Sequence, residues 1–239
     1  MRRRIIVLLA LAAIVAASLV FAGFRGKAEE RRIGLFTSLP ILWNEAAELK
    51  GLLDPPAAPH WARTVLQSNG KVVALDTLLE LQRVDLLVAA QPRPLLPEEN
   101  VALDDWVRKG GHVLLFADPM LTRESAFALG DRRRPQDVAL LSPILARWGL
   151  QLRFDDAQAL GERESPGEGL PVNLPGTFAP IAGGHDASCV IGEAQLVARC
   201  RIGKGRAIIV ADAALLEPNE DEDSRSIKLQ KLIGEAAGF

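Results

Sequence analysis

The stretch from Asp85 to Pro119, DLLVAAQPRPLLPEENVALDDWVRKGGHVLLFADP, constrains the fold more than any other part of this 239-residue chain. Leu86-Leu87-Val88-Ala89 is apolar at every position, the pattern of a strand covered on both faces. The loop QPRPLL leads to Pro97, which suits a first helical position because its missing N–H would have no partner there. Glu98 and Glu99 stand in the first turn and Arg108 and Lys109 in the last, so charge complements the helix dipole at both ends. Ala102, Leu103, Trp106 and Val107 form an inward stripe, with Asp104, Asp105 and Arg108 facing out. Gly110-Gly111 stops the helix, and Val113-Leu114-Leu115-Phe116 is a second buried strand. A crossover of this length joins parallel strands in a right-handed sense. The expected architecture is therefore α/β: a mostly parallel central sheet with helices on both faces.

The flanking segments extend this layout. Ile33–Phe36 reads as a first strand ending in Thr37-Ser38, and a long connection with Pro55, Pro56 and Pro59 follows. His60–Asn69 reads as a helix stopped at Gly70, Lys71–Leu75 as a strand, and Asp76 as the cap of a further helix, TLLELQR. Beyond Pro119, Val138–Trp148 reads as a helix closed by Gly149, and Leu150–Phe154 as a strand. Residues 155–180 are rich in Gly and Pro and acidic, which predicts a surface excursion or a weakly ordered β insertion. Alternating segments at Ser188–Ile191, Gln195–Ile202 and Arg206–Val210 predict a terminal β unit, with Gly203-Lys204-Gly205 as a hairpin turn. Ser224 is expected to cap a last amphipathic helix.

The N-terminus sets the expected address. Met1–Arg4 is MRRR, and Ile5–Phe24 contains no charged residue. A helix of about 20 residues rising about 1.5 Å each matches the roughly 30 Å hydrocarbon core of a bilayer. Three arginines before the run favour an N-terminus retained in the cytoplasm. Val20 and Ala22 leave open a cleaved signal peptide, but the run exceeds the usual signal core of about 7–15 residues, which favours an anchor. The layout expected is an anchor over residues 1–24, a linker over 25–32 and an α/β domain over 33–239. The chain would be a single-pass protein of a bacterial inner membrane with its C-terminal domain in the periplasm.

Charge and composition exclude some classes. With 28 Lys and Arg against 30 Asp and Glu, no Tyr, and no basic face interleaved with aromatics, a nucleic-acid partner is not expected. His60, His112 and His185 share no ligand spacing, so neither a metal nor another cofactor is expected. Cys189 and Cys200 fall on neighbouring predicted strands, and in an exported protein they read as a disulfide. Polar residues follow three strands: Thr37-Ser38, Asp118 and Asp212. Ligands of open parallel sheets lie outside the carboxyl ends of strands, near the point where strand order reverses. Thr37, Ser38, Asp118 and Asp212 are therefore the candidate ligand site, with Trp43, Asn44 and Glu45 overhanging it. The competing and more ordinary reading is that each aspartate caps its following turn or helix; Arg132-Arg133-Arg134 reads first as a solvated loop, with contact to lipid headgroups or a phosphate-bearing ligand as the functional alternative.

The runs LLVAAQPRPLLPEENVALDDWVRKGGHVLLFADP, LLSPILARWGLQL and GKGRAIIVADAALL resemble the extracytoplasmic domain of ABC-transport-associated proteins of the gliding-motility auxiliary type. They also resemble a related group of unknown function with a class I glutamine amidotransferase-like fold. The resemblance implies a flavodoxin-like or amidotransferase-like sheet and a partner in an ABC-type transport or envelope system. An amidotransferase needs a cysteine in a Gly-x-Cys-x-Gly elbow after a central strand. Here that turn is Ala90-Gln91-Pro92-Arg93-Pro94, without a nucleophile. The expected function is a non-catalytic, membrane-anchored binding or accessory domain. The alternatives are an exported hydrolase using Asp118 and Asp212, and a structural subunit of a membrane complex.

Overall fold

In this computed structural model, residues 30–43, 45 and 58–238 are described. The anchor at 1–24, most of the linker, Asn44 and most of the proline-rich connection lie outside the described residues. No helix among those described is long and apolar enough to cross a membrane.

The chain forms a mixed α/β fold around a seven-stranded sheet in the order β2-β1-β3-β4-β11-β10-β9. β1 (Arg32–Thr37) pairs in parallel with both β2 (Lys71–Ala74) and β3 (Leu86–Ala90). β3 pairs in parallel with β4 (His112–Phe116), and β4 with β11 (Gly205–Val210). β10 (Val197–Ile202) and β9 (Ala187–Ile191) close the sheet as antiparallel neighbours. β3 is buried at all five positions and β4 at four of five, as their continuous apolar sequences require.

The strand–helix–strand unit is present as read. Helix α2 (Pro97–Arg108) starts on Pro97, and Glu99 reaches back to accept the Leu96 N–H at 3.0 Å. Two of its polar residues nonetheless face inward. Glu99 is fully buried and Asp104 nearly so. Asp104 binds Arg108 (2.9 Å), Arg147 (2.8 Å) and the Trp148 indole N–H (3.0 Å), which fastens α2 to the short helix α3 (Ser142–Arg147). An outward assignment for Asp104 fails because helical periodicity does not register partners that arrive from elsewhere in the chain.

Other boundaries move for physical reasons. Helix α1 (Trp61–Asn69) is capped by His60, whose Nδ1 accepts the Ala62 N–H. The helix expected after Asp76 is instead a single 3₁₀ turn, Leu81–Arg83. Leu78 and Leu81 are buried there, and Glu99 accepts the Leu78 N–H, so tertiary anchors set the path. α3 begins only at Ser142, since Pro143 has no N–H to donate and fits only a first turn. β5 (Leu150–Arg153) leaves the central sheet and pairs antiparallel with β8 (Thr177–Pro180), while β6 (Arg163–Glu164) pairs with β7 (Pro171–Val172). The expected insertion is thus two small β ladders. The last helix, α4 (Glu222–Ala237), is capped by Asp221 rather than Ser224.

The C-terminal hairpin turns through Gly203-Lys204, with Gly203 at φ 55°. Gly205 has no room for a side chain: a Cβ would lie 2.1 Å from the Val107 carbonyl oxygen. Cys189 and Cys200 face each other across β9 and β10 and are joined as a disulfide, as their spacing predicts.

Candidate functional site

Strand order reverses between β1 and β3, and their carboxyl ends bear Thr37-Ser38 and Gln91. An open cavity of about 270 Å³ lies there, lined among others by Thr37, Ser38, Trp43, Arg93 and Gln136. Arg132, Arg133 and Arg134 form part of its wall. This is where a ligand of an open α/β sheet is expected.

Three of the four guanidinium groups are already engaged. Arg93 binds Glu99 through two bonds (2.7 and 2.8 Å) and lies 4.9 Å over the Phe36 ring. Burial alone would raise the Glu99 carboxyl, but Arg93 and the Leu96 and Leu78 N–H groups bring it down to about 2. Arg133 is held by Asp131 and stacks 4.2 Å over Phe127. Arg134 binds Asp137 and the Phe127 carbonyl. The two hydroxyls are committed as well. Thr37 donates to the Ala90 carbonyl (2.7 Å), and Ser38 donates to the Gln91 carbonyl while accepting the Gln136 N–H (2.9 Å).

Gln91 is the residue on which this edge turns. It is fully buried and holds a φ of 44°, a strained backbone for any residue other than glycine. Its Nε2 donates to the carbonyls of Asp118 (3.0 Å) and Gln136 (2.8 Å), and its Oε1 accepts the Asp118 N–H (2.9 Å). One side chain thereby ties the end of β3 to the end of β4 and to the loop that walls the cavity. The sequence marked this position for a missing nucleophile; the bonding role of the glutamine was not readable there.

Asp118 and Asp212 come together, but outside the cavity. Each is 1 % exposed. Asp118 accepts the N–H groups of Met120 (2.8 Å) and Ala213 (3.0 Å), and Asp212 those of Asn173 (2.9 Å) and Ala214. Burial pushes the Asp118 carboxyl up to about 7 against the pull of those two N–H groups, with Glu217 adding to the rise. Asp212 is raised well above its ordinary range by burial and then by the Asp118 charge. Glu217 is raised by burial too, although Thr122 bonds to it. The buried pair Asp118 and Asp212 and the half-buried Glu217 form an acid group at the ends of β4 and β11, and Glu217 was not anticipated as a member.

Glu45 does not overhang the cavity. Its carboxylate accepts Ser125 Oγ (3.2 Å) and the Ala126 N–H (3.1 Å), and so pins the loop after β4. Trp43 does line the cavity and is 41 % exposed. Asn44 lies outside the described residues. Among the described residues no group of three or more His, Cys, Asp or Glu is arranged to hold a metal ion.

An α/β domain with an open cavity at its strand-order reversal and a buried aspartate pair beside it defines the class. The family match is more particular: residues 61–219 match the family described as Domain of unknown function (DUF4350), and the chain belongs to that family. No curated protein sequence matches it. Among solved structures, the N-terminal domain of mmIFT52 is similar with a TM-score of 0.52 and 13% identity, over 87% of this chain and 97% of that one. The exo-beta-1,4-mannosidase Op5Man5 from Opitutaceae bacterium strain TAV5 gives a TM-score of 0.50 and 17% identity, over 89% of this chain. This chain spans 37% of the mannosidase's length. At these identities the likeness concerns the fold alone.

Proposed function

We propose that this protein is a membrane-anchored, periplasm-facing, non-catalytic domain that binds a partner or ligand through the cavity at the ends of β1 and β3. On this reading its fold is flavodoxin-like, of the class I glutamine amidotransferase type. It serves an ABC-type transport or envelope system, as the sequence resemblance implies. The observation that carries the proposal is Gln91. It stands at the strained turn after β3, where an amidotransferase presents its cysteine, and all its side-chain bonding is spent on the ends of β4 and the cavity wall. The Cys189–Cys200 disulfide supports an oxidising compartment.

The hydrolase alternative gains little from the geometry. Each oxygen of Asp118 and Asp212 accepts a backbone N–H, and both residues are sealed from solvent. Hydrolysis would need one of them to meet substrate or water.

The test is a photo-crosslinking amino acid at Trp43 of the full chain in intact cells, followed by mass spectrometry. A crosslink to a transporter or envelope component, lost when Ser38→Trp fills the cavity, is the expected result. Adducts only to lipid or to the chain itself would overturn the accessory role.

A further inference from the structure

On one face of the central sheet, α4 packs over β4 and β11, and Arg199 of β10 reaches its Glu235 at 2.9 Å. Beyond that contact lies a groove of about 830 Å³ along β11, β10 and the edge strand β9. Arg199, Arg201, Lys204 and Arg206 line it against one carboxylate, Glu235. Arg199 takes that carboxylate and Glu168 as well (2.7 Å). Arg201, Lys204 and Arg206 are exposed and have no carboxylate partner among the described residues. Among the described residues Arg206 reaches only the Glu235 carbonyl, at 3.4 Å.

Arg201 and Arg206 are directly opposed on neighbouring antiparallel strands. Like charges in that register repel and cost stability unless a counter-charge lies over them. The neighbouring cross-strand position is Val190, 69 % exposed and paired in register with Arg199. A basic row beside an apolar residue suits a surface that offers phosphates above hydrocarbon. Guanidinium groups match phosphate oxygens bidentately.

The groove's position selects the partner. β1, β2, β4 and β11 run in one direction, so Arg32, Lys71, His112 and the Gly203-Lys204 turn share the strand-start edge. The described chain enters on that same edge, through Glu30 and Arg31 into β1. The cavity of the proposed function is on the opposite, strand-end edge.

We infer that this basic face of β9–β11 docks onto an anionic bilayer, with Arg201, Lys204 and Arg206 among the lipid phosphates. The choice of a bilayer over an acidic protein rests on the anchored reading above. Three cations near an anionic surface change the docked-to-free ratio on the order of 100-fold.

The test uses the full chain in nanodiscs of phosphatidylcholine, with and without phosphatidylglycerol. Arginine and lysine modification by phenylglyoxal and an amine-reactive ester is followed by mass spectrometry. Labelling of Arg201, Lys204 and Arg206 should slow several-fold in the anionic discs only, while Arg132 reacts equally in both. Salt at about 1 M, where the screening length falls to about 3 Å, should abolish the difference. In the Arg201→Glu/Arg206→Glu variant, Lys204 should react equally in both discs. Equal labelling of the three wild-type residues in a chain that co-fractionates with discs overturns the docking and leaves the anchor standing. A chain that does not enter discs overturns the anchor and the docking together. Slowing that is the same in both lipids overturns the lipid assignment in favour of a second copy of the chain.

Discussion

Gln91→Glu changes one side-chain group at the centre of the strand-end edge and leaves the shape intact. The acceptor Oε1 can still take the Asp118 N–H, but the two bonds that Nε2 donates, to Asp118 O and Gln136 O, lose their donor. Two buried carbonyls are then turned toward an oxygen. At about 1–3 kcal/mol for each unsatisfied buried group, the loss is roughly 2–6 kcal/mol, a large part of the ~5–15 kcal/mol that holds a domain folded. The new carboxyl is buried, so its folded pKa rises. Its protonated form can still donate one bond, so the deficit is smallest in acid and grows as pH rises through that pKa. Urea unfolding of wild type and variant at about pH 5 and pH 8 measures this as a ΔΔG at each pH. Gln91→Gly should cost less than Gln91→Ala by about 1 kcal/mol, because glycine adopts the positive φ without strain. A Gln91→Glu variant within about 0.5 kcal/mol of wild type at pH 8 would refute the bonding role assigned to this residue.

Three further outcomes follow from other parts of the structure. Asp118, Asp212 and Glu217 have raised folded-state pKa values, so their contribution is fully present below an ordinary carboxyl pKa near 4 and is lost as pH rises through about 7 for Asp118. For Asp118 alone this is on the order of 4 kcal/mol, and chemical denaturation across that window should show stability falling; a flat or rising profile sinks the argument. Replacing Cys189 and Cys200 by serine removes a crosslink spanning 11 residues and should cost about 2–3 kcal/mol in the chain-entropy picture, read as a lower melting temperature that reductant no longer changes. Asp104→Ala strips the common partner from Arg108, Arg147 and the buried Trp148 N–H and should destabilise by about 3 kcal/mol, with Trp148 fluorescence reporting the loosened α2–α3 contact.

The elements most legible in the sequence were those with unbroken apolar runs and strong punctuation. β3, α2 and β4 stand where Leu86–Ala89, Pro97 and Gly110-Gly111 put them, to within a residue or two. The hairpin at Gly203-Lys204 and the disulfide were legible for the same local reason: turn chemistry and strand pairing fix their geometry over a few residues. The helix after Asp76 was not legible, because TLLELQR has helical composition but is held by Glu99 from another part of the chain. Nor was the fate of the candidate site. Seven residues were grouped by their places after strands or in the following loop. The tertiary structure divided the six of them that are described into an open cavity with Thr37, Ser38 and Trp43, a sealed pair, Asp118 and Asp212, and a loop pin at Glu45.

By itself the sequence determined the α/β class, the central strand–helix–strand unit, the C-terminal hairpin and the pairing of its cysteines. These depend on periodicity, turn residues and local spacing, which act over short distances along the chain. Only the tertiary structure decided which polar groups are buried and which are free. That choice depends on partners brought from about a hundred positions away, as when Ala213 donates to Asp118 and Gln136 to Ser38. Burial and pairing decide whether a charge becomes a structural bond or stays exposed at the surface. Asp118 is spent inside the fold, and Arg201, Lys204 and Arg206 are left outside it.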